Sequence, residues 1–292
     1  MKKFELTDEF ITNAFGNKLF RIKALVDFGT IRAGELGGFV EKEENLSNDG
    51  NAWVYGNARV SDDARVYGNA RVSDDAWVYG NARVSDDARV YGNARVSDDA
   101  RVSDDAQLSG NAWVYGNARV SDDARVSGNA RVSDDARVSD DARVSDDARV
   151  SDDARVSGNA WVYGNAQVSG NAWVSGNAWV YGNARVSDDA RVSGNARVSG
   201  NAQLSGNARV SGNADYAVVE GFGRYFRATT FFRCKDKILH VQCGCFYGDL
   251  AEFREIVKKT HGDSKYAKEY LAIADLMKLH FSDDEGRQEA AE

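Results

Sequence analysis

The chain contains no proline, and its three cysteines all lie after residue 230. So few thiols cannot staple a scaffold, which excludes a disulfide-rich secreted domain and agrees with a reducing compartment. No apolar run approaches the roughly 18 to 20 residues that a bilayer span requires. The opening MKKFELTDEF puts acids where a signal peptide needs an apolar stretch, so a cytoplasmic protein with no membrane partner is expected. A surplus of positive charge is missing too: the net charge is −8, which leaves no basic footprint for nucleic acid. What the chain has in excess is glycine, 28 of its 292 residues, together with Asp, Arg, Ala, Val, Ser and Asn in its middle. Hydrophobic content of 42% and charged content of 28% are ordinary for a folded protein, so the monotony points to repeats rather than disorder.

From Asn51 to Gly212 the chain divides without a gap into 27 hexapeptides, beginning NAWVYG, NARVSD, DARVYG. Each has alanine second, valine or leucine fourth, serine or tyrosine fifth, and a Gly-Asn or Asp-Asp pair across the boundary to the next. The two apolar positions lie two apart, so in extended backbone they face one side and the residue between them faces the other. Read from the valine, the unit resembles the hexapeptide motif of left-handed parallel β-helices, in which three units make one triangular coil. The fold expected is therefore mainly β, a left-handed parallel β-helix of about nine coils with a small α+β C-terminal cap. Glycine and asparagine suit the corners because they tolerate positive φ, while Asp-Asp does the same job less comfortably. All seven tyrosine-bearing units are followed by Gly-Asn and none by Asp-Asp.

Residues 1–50 and 213–292 lie outside the repeat and are read as caps on the two open ends of a solenoid spanning 51–212. In the leading segment, KLFRIKALVDFG has strand-like alternation. Val40 and Leu46 are six apart, so rudimentary rungs are expected before residue 51. The closing segment reads as β-β-α-α: strands in ATTFFRC and ILHVQCGCF around a turn at Lys235-Asp236-Lys237, then two helices. The first starts at an Asp249/Glu252 capping box and carries Leu250, Phe253, Ile256 and Val257 on one face. The second is capped by Asp263 or Ser264 and carries Tyr266, Tyr270, Ile273, Met277 and Phe281. The EGRQEAAE tail is expected to fray. DFGTIRAGELGGFVEKEENLS leading into NAWVYG units, with FFRCKDKILHVQCGCFYGDLAEFREIVKKTHGDSKYAKEYLAIADLMKLHF at the other end, resembles a family of bacterial and prophage-encoded hexapeptide-repeat proteins of unassigned function. That resemblance implies a phage or mobile-element setting and a solenoid with two caps, and it carries no catalytic residue.

Hexapeptide β-helices are best known as acyltransferases, which resemble one another in using a histidine base beside a loop that leaves the coil. Here His240, His261 and His280 all fall in the closing segment, and the repeat has neither histidine nor inserted loop. No catalytic residue and no cofactor are expected. Cys234, His240, Cys243 and Cys245 have the chemistry of zinc ligands, but Cys-Gly-Cys brackets one residue instead of two to four. In a strand, Cys243 and Cys245 share a face with Leu239 and Val241, so small buried hydrophobes are the simpler reading and no metal is expected.

Sorting the outward positions coil by coil is more informative. One face reads Arg65, Arg83, Arg101, Arg119, Arg137, Arg155, Trp173, Arg191, Arg209. The corner leaving it carries Asp86-Asp87, Asp104-Asp105, Asp122-Asp123 and Asp140-Asp141 on four successive coils. The repeat holds 22 aspartates against 18 arginines, and mutual neutralisation of the columns is the economical reading. Trp53, Trp77, Trp113, Trp161 and Trp179 occur in W-V-Y units that put Trp and Tyr outward. Trp161, Tyr163, Trp173, Trp179 and Tyr181 form the candidate partner-binding patch, with stacking for stability as the competing reading. The function expected is a non-enzymatic, phage-associated scaffold or interaction module that presents these ladders to a host or phage protein, a second copy of the chain being the other candidate partner. The alternatives are an acidic decoy inhibiting a host nucleic-acid-directed defence system, and a divergent acyltransferase.

Overall fold

Each hexapeptide forms a two-residue strand made of its outward residue and its valine or leucine, from Trp53–Val54 to Arg209–Val210. In this computed structural model, which describes residues 2–13 and 16–282, the alternation read from the sequence holds at every inward position. Every repeat valine, leucine and alanine is at most 1% exposed. Full burial of a valine side chain contributes roughly 1.5 to 3 kcal/mol, so the core is a stack of modest, identical contributions. The chain comprises two compact units, Met1–Asn165 and Ala166–Glu292. The division falls inside the repeat tract, as suits a solenoid in which each coil touches only its neighbours.

In the first unit each repeat strand pairs in parallel with the strand one coil further on, three hexapeptides along the chain. Like positions face one another: Arg65 with Arg83, Arg83 with Arg101, Trp113 with Arg131, Arg143 with Trp161. The outward residue donates its N–H to an alanine carbonyl of the next coil, as from Arg59 to Ala76 at 2.9 Å, and the fifth residue donates to a valine carbonyl, as from Ser61 to Val78 at 3.0 Å. Proline anywhere in this ladder would delete a bond. The same parallel register recurs in the second unit, in the pairs Gln167 with Arg185, Trp173 with Arg191 and Trp179 with Arg197.

The corners explain the pairing of tyrosine with glycine. The first residue of every Asp-Asp pair sits in the left-handed region, with φ from 56 to 60°. Its carboxylate is held by the hydroxyl of the serine before it, as in Ser85 to Asp86 at 2.7 Å and Ser133 to Asp134 at 2.8 Å. It also accepts the corner N–H of the next coil, as Asp74 does from Gly92 at 2.9 Å and Asp140 from Gly158 at 2.9 Å. A tyrosine carries its hydroxyl at the far end of a ring and cannot supply the first of these bonds, so only glycine follows it.

The leading segment begins the solenoid where expected: Val40 pairs in parallel with Val60, and Leu46 bridges to Val66. Strands Phe4–Thr12, Lys18–Ala24 and Leu36–Val40 pair antiparallel in that order. The first of these was not anticipated, because its acids obscure the alternation. Trp53 departs from the outward reading of the W-V-Y units. It is fully buried, with the rings of Phe4 and Phe28 at 6.4 and 5.4 Å, because the leading segment covers it.

The closing segment is β-β-β-β-α-α rather than β-β-α-α. Strands Tyr216–Val219, Thr229–Arg233, Leu239–Cys243 and Phe246–Asp249 form an antiparallel sheet, followed by α1 (Leu250–His261) and α2 (Lys265–His280). A turn at Gly244 and Cys245 splits the run ILHVQCGCF in two, and Tyr216–Val219 is too short to announce itself. The capping box forms as read, with Glu252 N–H donating to Asp249 at 2.8 Å and Asp249 N–H to Glu252 at 2.9 Å, and Ser264 caps α2. Phe253, Val257, Tyr270, Ile273 and Met277 pack with Phe231 and Val241, whereas Ile256 and Tyr266 are partly exposed. The sheet meets the last coil through a bridge from Ala208 to Cys234 and through bonds from Gln203 N–H to Thr230 and from Ser205 to Gln242. The EGRQEAAE tail lies outside the described residues.

Candidate functional site

In the first unit Arg65, Arg83, Arg101, Arg119, Arg137 and Arg155 occupy one position on six successive strands of a single sheet, all exposed. At about 4.8 Å between strands they span roughly 24 Å. Asp86-Asp87, Asp104-Asp105, Asp122-Asp123 and Asp140-Asp141 follow on the adjoining corner. The two members of each pair do different things. Asp86, Asp104, Asp122 and Asp140 are corner residues whose carboxylates turn to serine hydroxyls or to the N–H of the next coil. Asp87, Asp105, Asp123 and Asp141 face water, and among the described residues none of them has a hydrogen-bond partner.

Contact neutralisation of the two columns is not what the geometry gives. Among the described residues no ion pair joins these arginines to a repeat aspartate, and Asp63 is instead taken by Lys42 of the leading segment at 2.6 Å. Half of the carboxylates are turned into the corner, to serine hydroxyls and to N–H groups of the next coil. Elsewhere the second corner residue is asparagine, and its amide satisfies the next coil, as from Asn111 to Asn129 at 2.9 Å and from Asn129 to Asp147 at 3.1 Å. Four stacked aspartates have no such donor. Like charges about 4.8 Å apart repel by up to about 0.9 kcal/mol per neighbouring pair in water, less with salt.

The aromatic residues have partners within the coils. Trp77, Trp113 and Trp161 each donate the indole N–H to a serine on the preceding coil, Ser61, Ser97 and Ser145, at 3.3, 3.1 and 3.1 Å. Each also lies against the tyrosine two residues on, with ring centroids 4.5 to 4.6 Å apart. In the second unit the Arg191 guanidinium lies over Trp173 at 5.5 Å and that of Arg197 over Trp179 at 4.7 Å. Tyr181 shares the W-V-Y strip with Trp179 and is half-buried. The first unit thus brings Trp161 and Tyr163 together, and in the second Trp173, the more open of its two tryptophans, is 37% exposed. The serine partners were legible in outline, since Ser61 and Trp77, Ser97 and Trp113, and Ser145 and Trp161 recur at one and the same spacing.

Of the residues weighed for metal or catalytic chemistry, Cys234 is buried, which pushes its thiol pKa up. Cys243 is half-buried and accepts the Thr229 hydroxyl at 3.2 Å. Cys245 is exposed in the turn and does not share the buried face assigned to it. His240 stacks on Tyr247 at 5.4 Å, His261 on Tyr270 at 5.8 Å, and His280 meets Phe281 edge-on at 5.0 Å. No three His, Cys, Asp or Glu side chains gather as metal ligands among the described residues.

These features define a repeat protein of the parallel β-solenoid class. The YdcK beta solenoid repeat matches the chain in overlapping stretches through 64–140 and again at 148–164, 166–182, 190–205 and 202–214. No curated protein matches. Among solved structures, the UDP-N-acetylglucosamine acyltransferase of Francisella novicida is similar at 13% identity and a TM-score of 0.28, over 46% of this chain and 64% of its own length. The UDP-N-acetylglucosamine acyltransferase of Campylobacter jejuni is similar at 13% identity and a TM-score of 0.25, over 83% of this chain and 89% of its own. This chain therefore spans just under two thirds of the Francisella protein. No helix among the described residues is long and apolar enough to cross a membrane.

Proposed function

We propose that this protein is a non-enzymatic, phage-associated interaction module of the cytoplasm, whose solenoid presents ordered rows of charge and aromatic side chains to a protein partner. The observation that carries this reading is the arginine column of the first unit: six exposed guanidinium groups at coil spacing, with no ion pair to a carboxylate among the described residues. A column that repels itself gains when an acidic surface docks against it, and the neighbouring row of Asp87, Asp105, Asp123 and Asp141 sets the orientation of that surface. The half-exposed Trp161 in the first unit and Trp173 and Trp179 in the second supply apolar area at positions that most other units fill with arginine.

The test is a pull-down from host lysate with the full chain, repeated with Arg101→Gln/Arg119→Gln/Arg137→Gln and with Trp161→Arg/Trp179→Arg. A partner captured by the wild type should bind the arginine variant at least tenfold more weakly and dissociate with rising salt. Capture indifferent to both variants would overturn the reading. So would salt-dependent competition with DNA, which marks an acidic decoy, or turnover of an acyl-CoA, which marks an acyltransferase.

A further inference from the structure

The closing segment holds a cavity of about 220 Å³ that none of the ladder residues lines. One wall is the loop from Gly221 to Arg227, between strands Tyr216–Val219 and Thr229–Arg233. The loop is strapped to α2 at Gly223, whose N–H donates to Glu269 at 2.9 Å, and where an added Cβ would sit 2.1 Å from the Tyr270 hydroxyl. Next to this strap Phe226 adopts φ +53° with its ring 71% exposed. A bulky residue in that region costs about 1 to 2 kcal/mol, and such an exposed ring offers little packing in return. The strained turn holds both Arg224 and Arg227 against Tyr225, their guanidinium groups 5.6 and 5.0 Å from its ring.

The opposite wall is apolar, built from Phe246, Phe253, Ile256 and Val257. Tyr270 and His261 line the cavity as a stacked pair of rings. Burial pushes the Tyr270 pKa up to about 12, so its hydroxyl stays a neutral donor at physiological pH. Among the described residues no carboxylate lines the cavity, and neither Arg224 nor Arg227 has an ion pair or a hydrogen bond. In a chain of net charge −8, two guanidinium groups without an ion pair beside a ring-lined pocket are a local inversion of sign.

We propose that this cavity binds a small aromatic carboxylate, its ring against Phe246 and Phe253 and its carboxylate between Arg224 and Arg227. A guanidinium fork matches a carboxylate in plane and in charge. The volume is below the roughly 300 Å³ floor of sites for drug-sized ligands, which restricts the occupant to one ring on a short acid arm. This site is independent of the ladders, and its failure would leave the proposed scaffold function standing.

The test uses the full chain, with benzoate, phenylacetate and 3-phenylpropionate as probes, read by saturation-transfer NMR and calorimetry. At least one acid should bind with a sub-millimolar Kd, and its neutral amide at least tenfold more weakly. Arg224→Gln/Arg227→Gln should weaken the acid at least tenfold with an unchanged circular dichroism spectrum, since neither side chain holds the fold together. Ile256→Trp, which fills the cavity from a partly exposed position, should abolish binding of acid and amide alike and serves as the readout should the double variant unfold. Equal affinity for acid and amide, binding unaffected by these variants, or inorganic phosphate binding as tightly as the aromatic acids would each overturn the proposal.

Discussion

Tyr91 and Gly92 offer a direct test of the corner chemistry. Gly92 has φ +69°, and a Cβ built on it would lie 3.0 Å from the N and 3.1 Å from the O of Gly110 on the next coil. Aspartate occupies this position after serine at φ 56 to 60°, so the backbone can adjust by about ten degrees. In Gly92→Asp the introduced carboxylate would still reach the Gly110 N–H, but Tyr91 supplies no hydroxyl. The variant therefore keeps the left-handed strain and crowding, about 1 to 2 kcal/mol, without the compensating bond. Tyr91→Ser alone loses a ring that is 36% exposed, which costs roughly 0.5 to 1 kcal/mol. The double variant recreates a natural V-S-D corner and regains a hydroxyl-to-carboxylate bond worth about 1 kcal/mol at an exposed site. The double-mutant cycle should thus show coupling of about 1 kcal/mol in favour of the pair. Hydrogen exchange over residues 87–95 measures it locally, which matters because a long repeat need not unfold in one step. The expected signature is opening about fivefold rarer than the product of the single effects predicts. Strictly multiplicative effects would refute the serine explanation and return the tyrosine-glycine association to chance.

Trp77→Arg should cost about 1 kcal/mol, since it removes the bond to Ser61 and the contact with Tyr79, whereas Trp53→Arg buries a charge under the leading segment and should cost about 4 kcal/mol or more; equal shifts in Tm would contradict the burial assignment. Burial lowers the Lys3 pKa to about 8, although its ammonium donates to Ala52 O at 3.0 Å. The folded state therefore binds this proton more weakly than the unfolded chain does, and stability should rise from pH 8 towards 10.5, by about 1 to 2 kcal/mol after solvent screening. The check is the Tm of wild type relative to Lys3→Met, which should climb across that window and stay flat below pH 7. Truncation after Gly212 removes the sheet that bonds to Gln203, Ser205 and Asn207 and should produce aggregates or end-to-end fibres by light scattering; a soluble monomer at high concentration would contradict the capping role.

The coils were readable because the period never slips: a valine or leucine in every hexapeptide, with alanine two before it, admits one inward face. The corners were readable only in part. That Asp-Asp replaces Gly-Asn was visible, and so was the serine before every such pair, but assigning the first carboxylate to backbone needed the coil-to-coil geometry. The same gap hid the loss of contact neutralisation, since a residue count treats both aspartates as surface charge when one is structural. At the ends, where the period stops, local signals decided the outcome. The Asp249/Glu252 box and Gly262 placed α1 correctly, while the short strand Tyr216–Val219, with a glycine-rich exit, left too little pattern to read. Trp53 was misplaced because the W-V-Y unit is identical wherever it occurs, and only Phe4 and Phe28, far upstream in the leading segment, decide that this copy is buried.

Within the repeat, the physical constraints leave one position almost free. Alanine and valine are fixed by the interior, the corner pair by positive φ, and the fifth residue by what the corner then needs. The outward residue before each valine is fixed by none of these, and the chain fills it with Arg, Trp or Gln on the same backbone. A position that the fold does not dictate is where selection for a surface can be read. Arginine occurs on all three faces of the first unit, but only one face carries it on six successive coils, while the other two are interrupted by Trp and Gln. Self-repulsion makes such a column mildly unfavourable for the isolated molecule, so stability does not account for it. The proposed anionic partner would relieve that repulsion, and the neighbouring corner of unsatisfied aspartates would make the demand on it specific in sign and direction.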